Sequence, residues 1–391
     1  MYDWIIIGGG IHGTFLANFL TTALGYRFDK VAVLDPHEEP CSLWKQTTEN
    51  TGMVFLRSPG KHHLGLHPNA LDNYANLPSV KPRAMTLGDS RRPSLELFNS
   101  HISYLVNQFG LKRMFHQARA SAIREIAEGL AIETNVGTFE TRRVILALGQ
   151  SESPLMPAWA YKLRSKGIEV KHVFASDFNL NDYSGRDRVA IVGGGITAAH
   201  LATKIGGYQN PVALVCRDVI PTNNLDFDPC WLGPECMEGF SQISDPDERR
   251  RVIDKARHKG TAPQDVQDKL ASAIETGRVV QTLGSVQRVN SYSGKATIHL
   301  SNGKKVECDR VILATGFEKN RPGGAWLDYT ALNLNLPVHQ GGYPLVDPLL
   351  RWGHPRIFVT GALAELELGP AARNIIGAKL AAERIWRLHQ M

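Results

Sequence analysis

Cysteine is scarce in this chain of 391 residues, and the five present (Cys41, Cys216, Cys230, Cys236, Cys308) form no Cys-x-x-Cys pair. An odd set without metal-ligand spacing is neither a secreted disulfide framework nor a zinc site, so a reducing, cytoplasmic compartment is expected. Charge of one sign is not concentrated either. The net charge is +6, with no run of like charges and no basic tail. That balance lacks the footprint of a nucleic-acid binder, although a mild basic excess suits polyphosphate ligands. Long apolar runs are missing, and the first residues lack a charged n-region and a cleavage site. Neither a signal peptide nor an integral membrane segment is expected.

What is present is an ordinary globular balance of 43% hydrophobic and 21% charged residues, in a length that implies two or three domains. Glycine is in slight excess, with 36 residues against a usual share of about 7%. The question is whether these glycines are scattered or gathered in working turns.

The chain starts Tyr2-Asp3-Trp4-Ile5-Ile6-Ile7, a strand-length apolar run that ends at once in Gly8-Gly9-Gly10. Residues 14–24 then place Phe15, Leu16, Phe19, Leu20 and Leu24 at helical spacing. A second short strand, Val31 to Leu34, ends in Asp35. Strand, glycine turn, helix and strand make a βαβ unit. The same grammar returns at Val189 to Val192, followed by Gly193-Gly194-Gly195, a helix, and a strand from Val212 ending in Cys216-Arg217. Each half also closes on a matching segment, ETRRVILALG at 140–149 and ECDRVILATG at 307–316. Turn signals at Asn135-Val136-Gly137 and Asn302-Gly303 precede them and predict hairpins. A helix is expected over Pro93–Phe109. Residues 218–282 have no counterpart in the first half and read as an ordered insertion, starting in an irregular loop (220–240) and continuing into polar helices.

Gly8, Gly10 and Gly13 form Gly-x-Gly-x-x-Gly between a strand and a helix. The first glycine permits the tight turn, the second lets backbone amides approach a pyrophosphate, and the third packs helix against strand. Asp35 lies about twenty residues further on, where an acid can hold ribose hydroxyls. In the second copy Gly193, Gly195 and Thr197 lead into Ala198, which replaces the third glycine, and Arg217 stands where Asp35 stands in the first. A guanidinium there can grip a 2'-phosphate that a carboxylate would repel. The pattern assigns FAD to the first turn and NADPH to the second. Near the C-terminus, Arg356 to Gly361 is another strand running into glycine. Gly369-Pro370 then precede a helix from about Ala371 to His389, whose start could stabilise the negative edge of a reduced flavin.

The two glycine turns, the paired VILALG and VILATG strands and the final Thr360-Gly361 turn resemble the flavoproteins with two dinucleotide-binding domains. Their order is most similar to the flavin-dependent N-hydroxylating monooxygenases, the lysine and ornithine N-hydroxylase group. The resemblance implies an α/β fold of two Rossmann-like three-layer dinucleotide-binding domains, each with an antiparallel β-meander, the second inserted in the first. Residues 1–155 and 318–391 would bind FAD, and 156–317 would bind NADPH. It implies an FAD-dependent, NADPH-oxidising monooxygenase that uses molecular oxygen, through a flavin hydroperoxide, to hydroxylate a small nitrogen-containing substrate such as an amine.

Under that reading Trp44 to Pro59 runs beneath the flavin, and Trp44, Gly149, Gly316, Gly361 and Pro370 join the cofactor-binding set. Arg57, Asn224 and Asp226, with Asn223, are the candidate catalytic-pocket residues. Here the sequence departs from the pattern in one respect, since Gly167 and His172 are one residue too far apart for the Gly-x-x-x-His segment of related monooxygenases. His62, His63 and His67 do not make a metal site, because Gly65 and Pro68 break the helix that would align them. One of them serves better as a hydrogen-bond donor near the flavin. Cys230 and Cys236 lie outside the helix that carries the redox pair of disulfide reductases, so they read as buried or incidental. Two other functions use the same turns: an NADPH-dependent reductase of a quinone or protein acceptor without oxygen insertion, and a non-catalytic nucleotide-binding or redox-sensing protein, which intact turns disfavour. Homo-oligomerisation stays open.

Overall fold

The computed structural model describes residues 1–149, 153–183, 187–207 and 210–390. Its first sheet has seven strands. Tyr2–Ile7 is central and pairs in parallel with Val31–Asp35 on one side and Gly137–Leu146 on the other. Phe115–Gln117 extends the Val31–Asp35 edge. The long strand Gly137–Leu146 shares its second edge between two partners. Its first half pairs antiparallel with Gly129–Thr134, which continues to Ala120–Ile126. Its last residues pair in parallel with Ile357–Val359. The chain therefore comes back after the second sheet to complete the first.

The second sheet has five parallel strands in the order Val279–Leu283, Val212–Cys216, Val189–Val192, Arg310–Leu313 and Glu169–His172. A separate three-stranded antiparallel sheet, Val286–Tyr292, Lys295–Leu300 and Lys305–Cys308, forms the second meander. This is the α/β fold with two dinucleotide-binding units. The meanders differ, however: the first is continuous with its parallel sheet, whereas the second lies across its own as a distinct layer.

Alternation along the central strands decides the layers. Trp4 and Ile6 enter a core with the helices Ile11–Asn18, Leu95–Gln108 and Ile375–Leu388, while Ile5 and Ile7 enter another with Val144, Leu146 and Trp352. In the second sheet Val189 and Ile191 pack against the helix Ile196–Ile205. Ala190 and Val192 face the meander residues Ala296, Ile298 and Val306. Strands buried on both faces read as continuous apolar runs, which is why they were visible as such.

Several local expectations are corrected. The first helix ends in a π-helical turn over Phe19–Ala23. The helix expected from Pro93 is Leu95–Gln108, started by Ser94, whose side chain accepts from Leu97 N. The segment read as an irregular loop contains the helix Pro234–Gln242, and the stretch read as an insertion ends in a strand of the second sheet. Cys230 and Cys236 are bonded as a disulfide rather than buried or incidental. A 3-10 turn, Pro229–Leu232, and the helix beginning at Pro234 reverse the chain across Gly233 and bring the two Cα atoms to 5.3 Å. Cys41, Cys216 and Cys308 remain free and buried. No helix among the described residues is long and apolar enough to cross a membrane.

Candidate functional site

The first glycine turn is built by close backbone approach. A Cβ on Gly8, at φ +109°, would sit 2.4 Å from Ala147 O, and one on Gly13 would sit 1.8 Å from Gly8 O. On Gly10 it would meet nothing within 4 Å, because that side of the turn faces a cavity of about 550 Å³. Asp35 fixes the turn from the next strand, its Oδ2 accepting from Gly9 N at 2.6 Å and its Oδ1 from His37 N at 2.8 Å. This carboxylate both shapes the turn and lines the cavity.

From Asp35 and Arg119 at one end, the cavity passes Gly8, Gly10 and Gly149 to Trp44, Met53, Arg57, Gly361 and Asn374 at the other. Its lining fits a dinucleotide such as FAD, with a glycine cradle for the pyrophosphate and an acid beside the ribose position. Trp44 is held by its Nε1–H, which donates to Asn99 Oδ1, and by packing on Phe98.

At that far end the insertion closes over the first unit. The Arg57 guanidinium donates to Asp226 Oδ1 at 2.8 Å, to Thr261 Oγ1 at 2.7 Å and to the carbonyls of Asn223 and Leu225. The second oxygen of Asp226 accepts from Asn374 Nδ2 at 2.7 Å. Arg257 donates to Pro370 O and Asn374 Oδ1. His12 Nε2 lies 3.0 Å from Asn374 O, a carbonyl that can only accept, so the proton sits on Nε2 and Nδ1 accepts from Thr360 Oγ1. Further out, Arg92 pairs with Asp265, and fully buried Glu365 is held by Arg250 and Arg373.

The second glycine turn repeats the first in its close approach, with a Cβ on Gly193 2.4 Å from Ala314 O. A loop of the insertion lies against it, so that a Cβ on Gly260 would stand 3.0 Å from Gly194 O. Thr197 lies in the first turn of the helix that follows, and Arg217 is exposed at the end of the next strand. Ile196, at the start of that helix, lines the same cavity as Gly8 and Gly10.

Three of the expected site residues fall elsewhere. Asn224 is exposed and its Oδ1 accepts from Gln264 N, which caps a helix away from the cavity. Pro370 lies in a 3-10 turn, Gly369–Arg373, and the C-terminal helix begins only at Ile375 after Asn374 in an extended conformation. That turn packs so closely on the helix that a Cβ on Gly377 would sit 2.0 Å from Ala372 O. Arg373, Asn374 and Ile375 therefore take the place at the cavity that Pro370 was expected to fill. Gly316 is at positive φ, and its carbonyl accepts from Leu155 N outside the cavity lining. Sequence reasoning missed Asn374, and an Asn-Ile-Ile step after Gly-Pro was its only trace.

The three neighbouring histidines separate. His63 packs edge-on against His101, His67 is exposed, and His62 reaches the cavity region. Among the described residues no group of three His, Cys, Asp or Glu side chains could hold a metal ion. Burial pulls His12, His62, His63, His172 and His200 down to about 4, and His101 to about 3, from an ordinary 6.5. The unfolded chain takes up these protons first. Stability is therefore complete above pH 6.5 and lost as the pH falls toward 4. The melting temperature should drop by about 10 °C or more between about pH 7.5 and about pH 5. Equal values would mean that these rings are not held neutral.

Residues 2–377 match the family described as pyridine nucleotide-disulphide oxidoreductase. A probable indole-3-pyruvate monooxygenase of Arabidopsis thaliana is 22% identical over 343 residues, 83% of this chain and 77% of that protein. Among solved structures, the ornithine hydroxylase of Pseudomonas aeruginosa superposes with a TM-score of 0.76 at 18% identity, covering 100% of this chain and 99% of that one. The FAD-bound cadaverine monooxygenase of Erwinia amylovora gives 0.76 at 14% identity, covering 99% and 94%.

Proposed function

The chain belongs to the pyridine nucleotide-disulphide oxidoreductase family and is a flavin-dependent oxidoreductase, and on that premise we propose that it is an FAD-dependent, NADPH-oxidising monooxygenase acting on a small nitrogen-containing substrate. The observation that carries this reading is convergence. The first glycine turn, the helix start after the second turn (Ile196) and the insertion (Asp226) line one cavity. A nicotinamide and a flavin would meet where Arg57, Asp226 and Asn374 are tied together. FAD would be held by Gly8, Gly10, Gly13, Asp35 and Trp44, and NADPH by Gly193, Gly195, Thr197 and Arg217. The division into an FAD-binding unit (1–155 and 318–391) and an NADPH-binding unit (156–317) belongs to the same proposal.

When bound, the flavin supplies hydride acceptance and oxygen activation, which are the cofactor's own chemistry. This chain's residues orient and enclose. Arg57 and Asp226 neutralise each other at the enclosed end of the site. His12, neutral and fixed in one tautomer, holds the Asn374 backbone in place through Nε2. The insertion, clamped by Arg57, Arg92 and Arg250, excludes water from the far end, as oxygen chemistry on a reactive intermediate requires.

One steady-state experiment tests the reading: oxidation of NADPH and NADH by the FAD-loaded protein, with and without oxygen, in native and Arg217→Ala forms. NADPH oxidation should depend on oxygen, and Arg217→Ala should cost about tenfold or more in kcat/KM for NADPH with little change for NADH. Oxygen-independent turnover with a quinone acceptor would replace the monooxygenase reading with a reductase. Equal losses for both nucleotides would remove the role of Arg217.

A further inference from the structure

Beyond the Arg57–Asp226 pair lies a second, smaller chamber of about 100 Å³. It shares Arg57, Ser58, Asp226 and Asn374 with the main cavity, so it opens off the end where the redox centres would meet. Its other walls are Pro59, His62, Leu225, Phe227, Pro229 and Leu232. This space is enough for a molecule of about one ring. We propose that the chamber is the substrate site and that it takes a small, neutral, mainly apolar molecule bearing one hydrogen-bonding group, rather than an amino acid or an alkyl diamine in its charged form. This rests on the oxidoreductase reading of the main cavity.

The charge inventory carries the argument. Among the described residues Arg57 and Asp226 are the only ionic groups on the chamber wall, and they are paired with each other. The second Asp226 oxygen is taken by Asn374, and Arg57 Nη2 donates to Asn223 O, Leu225 O and Thr261, which leaves only the buried Nε–H without a partner among the described residues. An alkylammonium would have to take Asp226 from Arg57, and a carboxylate would have to share the Arg57 guanidinium with Asp226. The first strands a largely buried guanidinium and the second sets two carboxylates side by side, each at a cost that cancels the gain. Lys379, whose Nζ reaches Lys61 O at 3.2 Å, adds a positive field beside His62 that further disfavours cations.

The polar handle is His62. Its side chain is nine-tenths buried, and its ring has no hydrogen-bond partner among the described residues. Burial holds it neutral, so the ring carries one donor and one acceptor on a residue that lines the chamber. Such a site rewards an uncharged N–H or O–H on an apolar body and discriminates against the isostere that lacks it.

The test is a binding titration followed by the absorbance of the bound oxidised flavin, using aniline, toluene, cadaverine and L-ornithine at about pH 7.5. Aniline should bind most tightly, with cadaverine and L-ornithine weaker by about tenfold or more. Leu232→Trp fills the chamber from a residue that is 39% exposed, so it should fold and retain FAD while weakening aniline about tenfold. His62→Phe should erase the preference for aniline over toluene. Cadaverine or L-ornithine binding as tightly as aniline, unchanged aniline affinity in Leu232→Trp, or a retained aniline preference in His62→Phe would each overturn the proposal. Because binding is read without turnover, a protein that binds aniline yet oxidises NADPH without oxygen would lose the hydroxylating reading and keep the chamber.

Discussion

Gly13→Ala is expected to abolish both FAD retention and cooperative folding of the first unit, whereas Gly10→Ala abolishes only the first. The two glycines belong to one turn and face different things. A methyl at position 13 would be placed 1.8 Å from the carbonyl oxygen of Gly8 and 2.9 Å from its carbonyl carbon. Both contacts are backbone, and Gly8 is itself closely packed, since a Cβ on it would sit 2.4 Å from Ala147 O. Overpacking where side chains can shift costs about 1–3 kcal/mol; here the helix Ile11–Asn18 would have to leave the sheet, which puts the cost above about 4 kcal/mol. At position 10 the methyl meets no protein atom within 4 Å and points into the cavity, where it would take the space of a pyrophosphate. The measurement is the flavin-to-protein absorbance ratio beside thermal unfolding of the flavin-free protein. Gly10→Ala should melt like the flavin-free native protein and bind FAD at least about a hundredfold more weakly. If Gly10→Ala retained FAD, the first turn would not be the pyrophosphate cradle.

The contrast between these two glycines also marks what could be read from the sequence. Strand, turn, helix and acid are local features, and each follows from a period or a steric need within about thirty residues. Gly8, Gly13, Gly193 and Asp35 were legible for that reason, as were the two VIL strands that lie beside the turns. The enclosed end of the site was not. Arg57 meets Asp226, Asp226 meets Asn374, and Arg92 meets Asp265 across the whole length of the chain, and no spacing in the sequence encodes such a meeting. Arg57 and Asp226 were singled out as pocket candidates by their place in loops near the flavin, not by any sign that they meet. Asn224, singled out with them, faces the other way because its neighbour supplies the chamber wall while it caps the next helix. The disulfide was missed for a related reason: a spacing outside the known redox motifs carries no signal until the turn at Gly233 is in place.

Those long-range contacts share a chemistry. The insertion contributes Asp226, Arg250, Arg257 and Asp265, and each meets a partner of the first unit through charge or a charged hydrogen bond. Apolar packing supports it in one place, where Phe240 and Ile253 join Tyr343 and Leu366. An insertion held mainly by charged contacts can be positioned accurately and still be separable, since such contacts contribute specificity more than net adhesion. The contact at Asp226 matters most, because it is both the clamp and the boundary between the two chambers.

Asp226→Leu should therefore be the most damaging single change outside the glycine turns. It strands Arg57, whose side chain is 10% exposed, with only neutral acceptors, and it removes the acceptor that holds the Asn374 side chain. Desolvation already depresses the Arg57 guanidinium, and Asp226 is the group that offsets it. Removing one member of a buried pair costs about 3–5 kcal/mol, whereas replacing both by apolar residues of similar volume is often close to neutral. Unfolding in urea should show Asp226→Leu destabilised by about 3 kcal/mol. The pair Arg57→Met with Asp226→Leu should recover about half of that loss, a coupling resolved by a double-mutant cycle. Strictly additive losses would mean that Arg57 is satisfied by Thr261 and the Asn223 and Leu225 carbonyls alone, so that Asp226 is free to meet a substrate ammonium. That outcome would reopen the second chamber to charged amines. Recovery in the double variant, with aniline still preferred over cadaverine, would place selectivity in the apolar wall and His62 rather than in either ion.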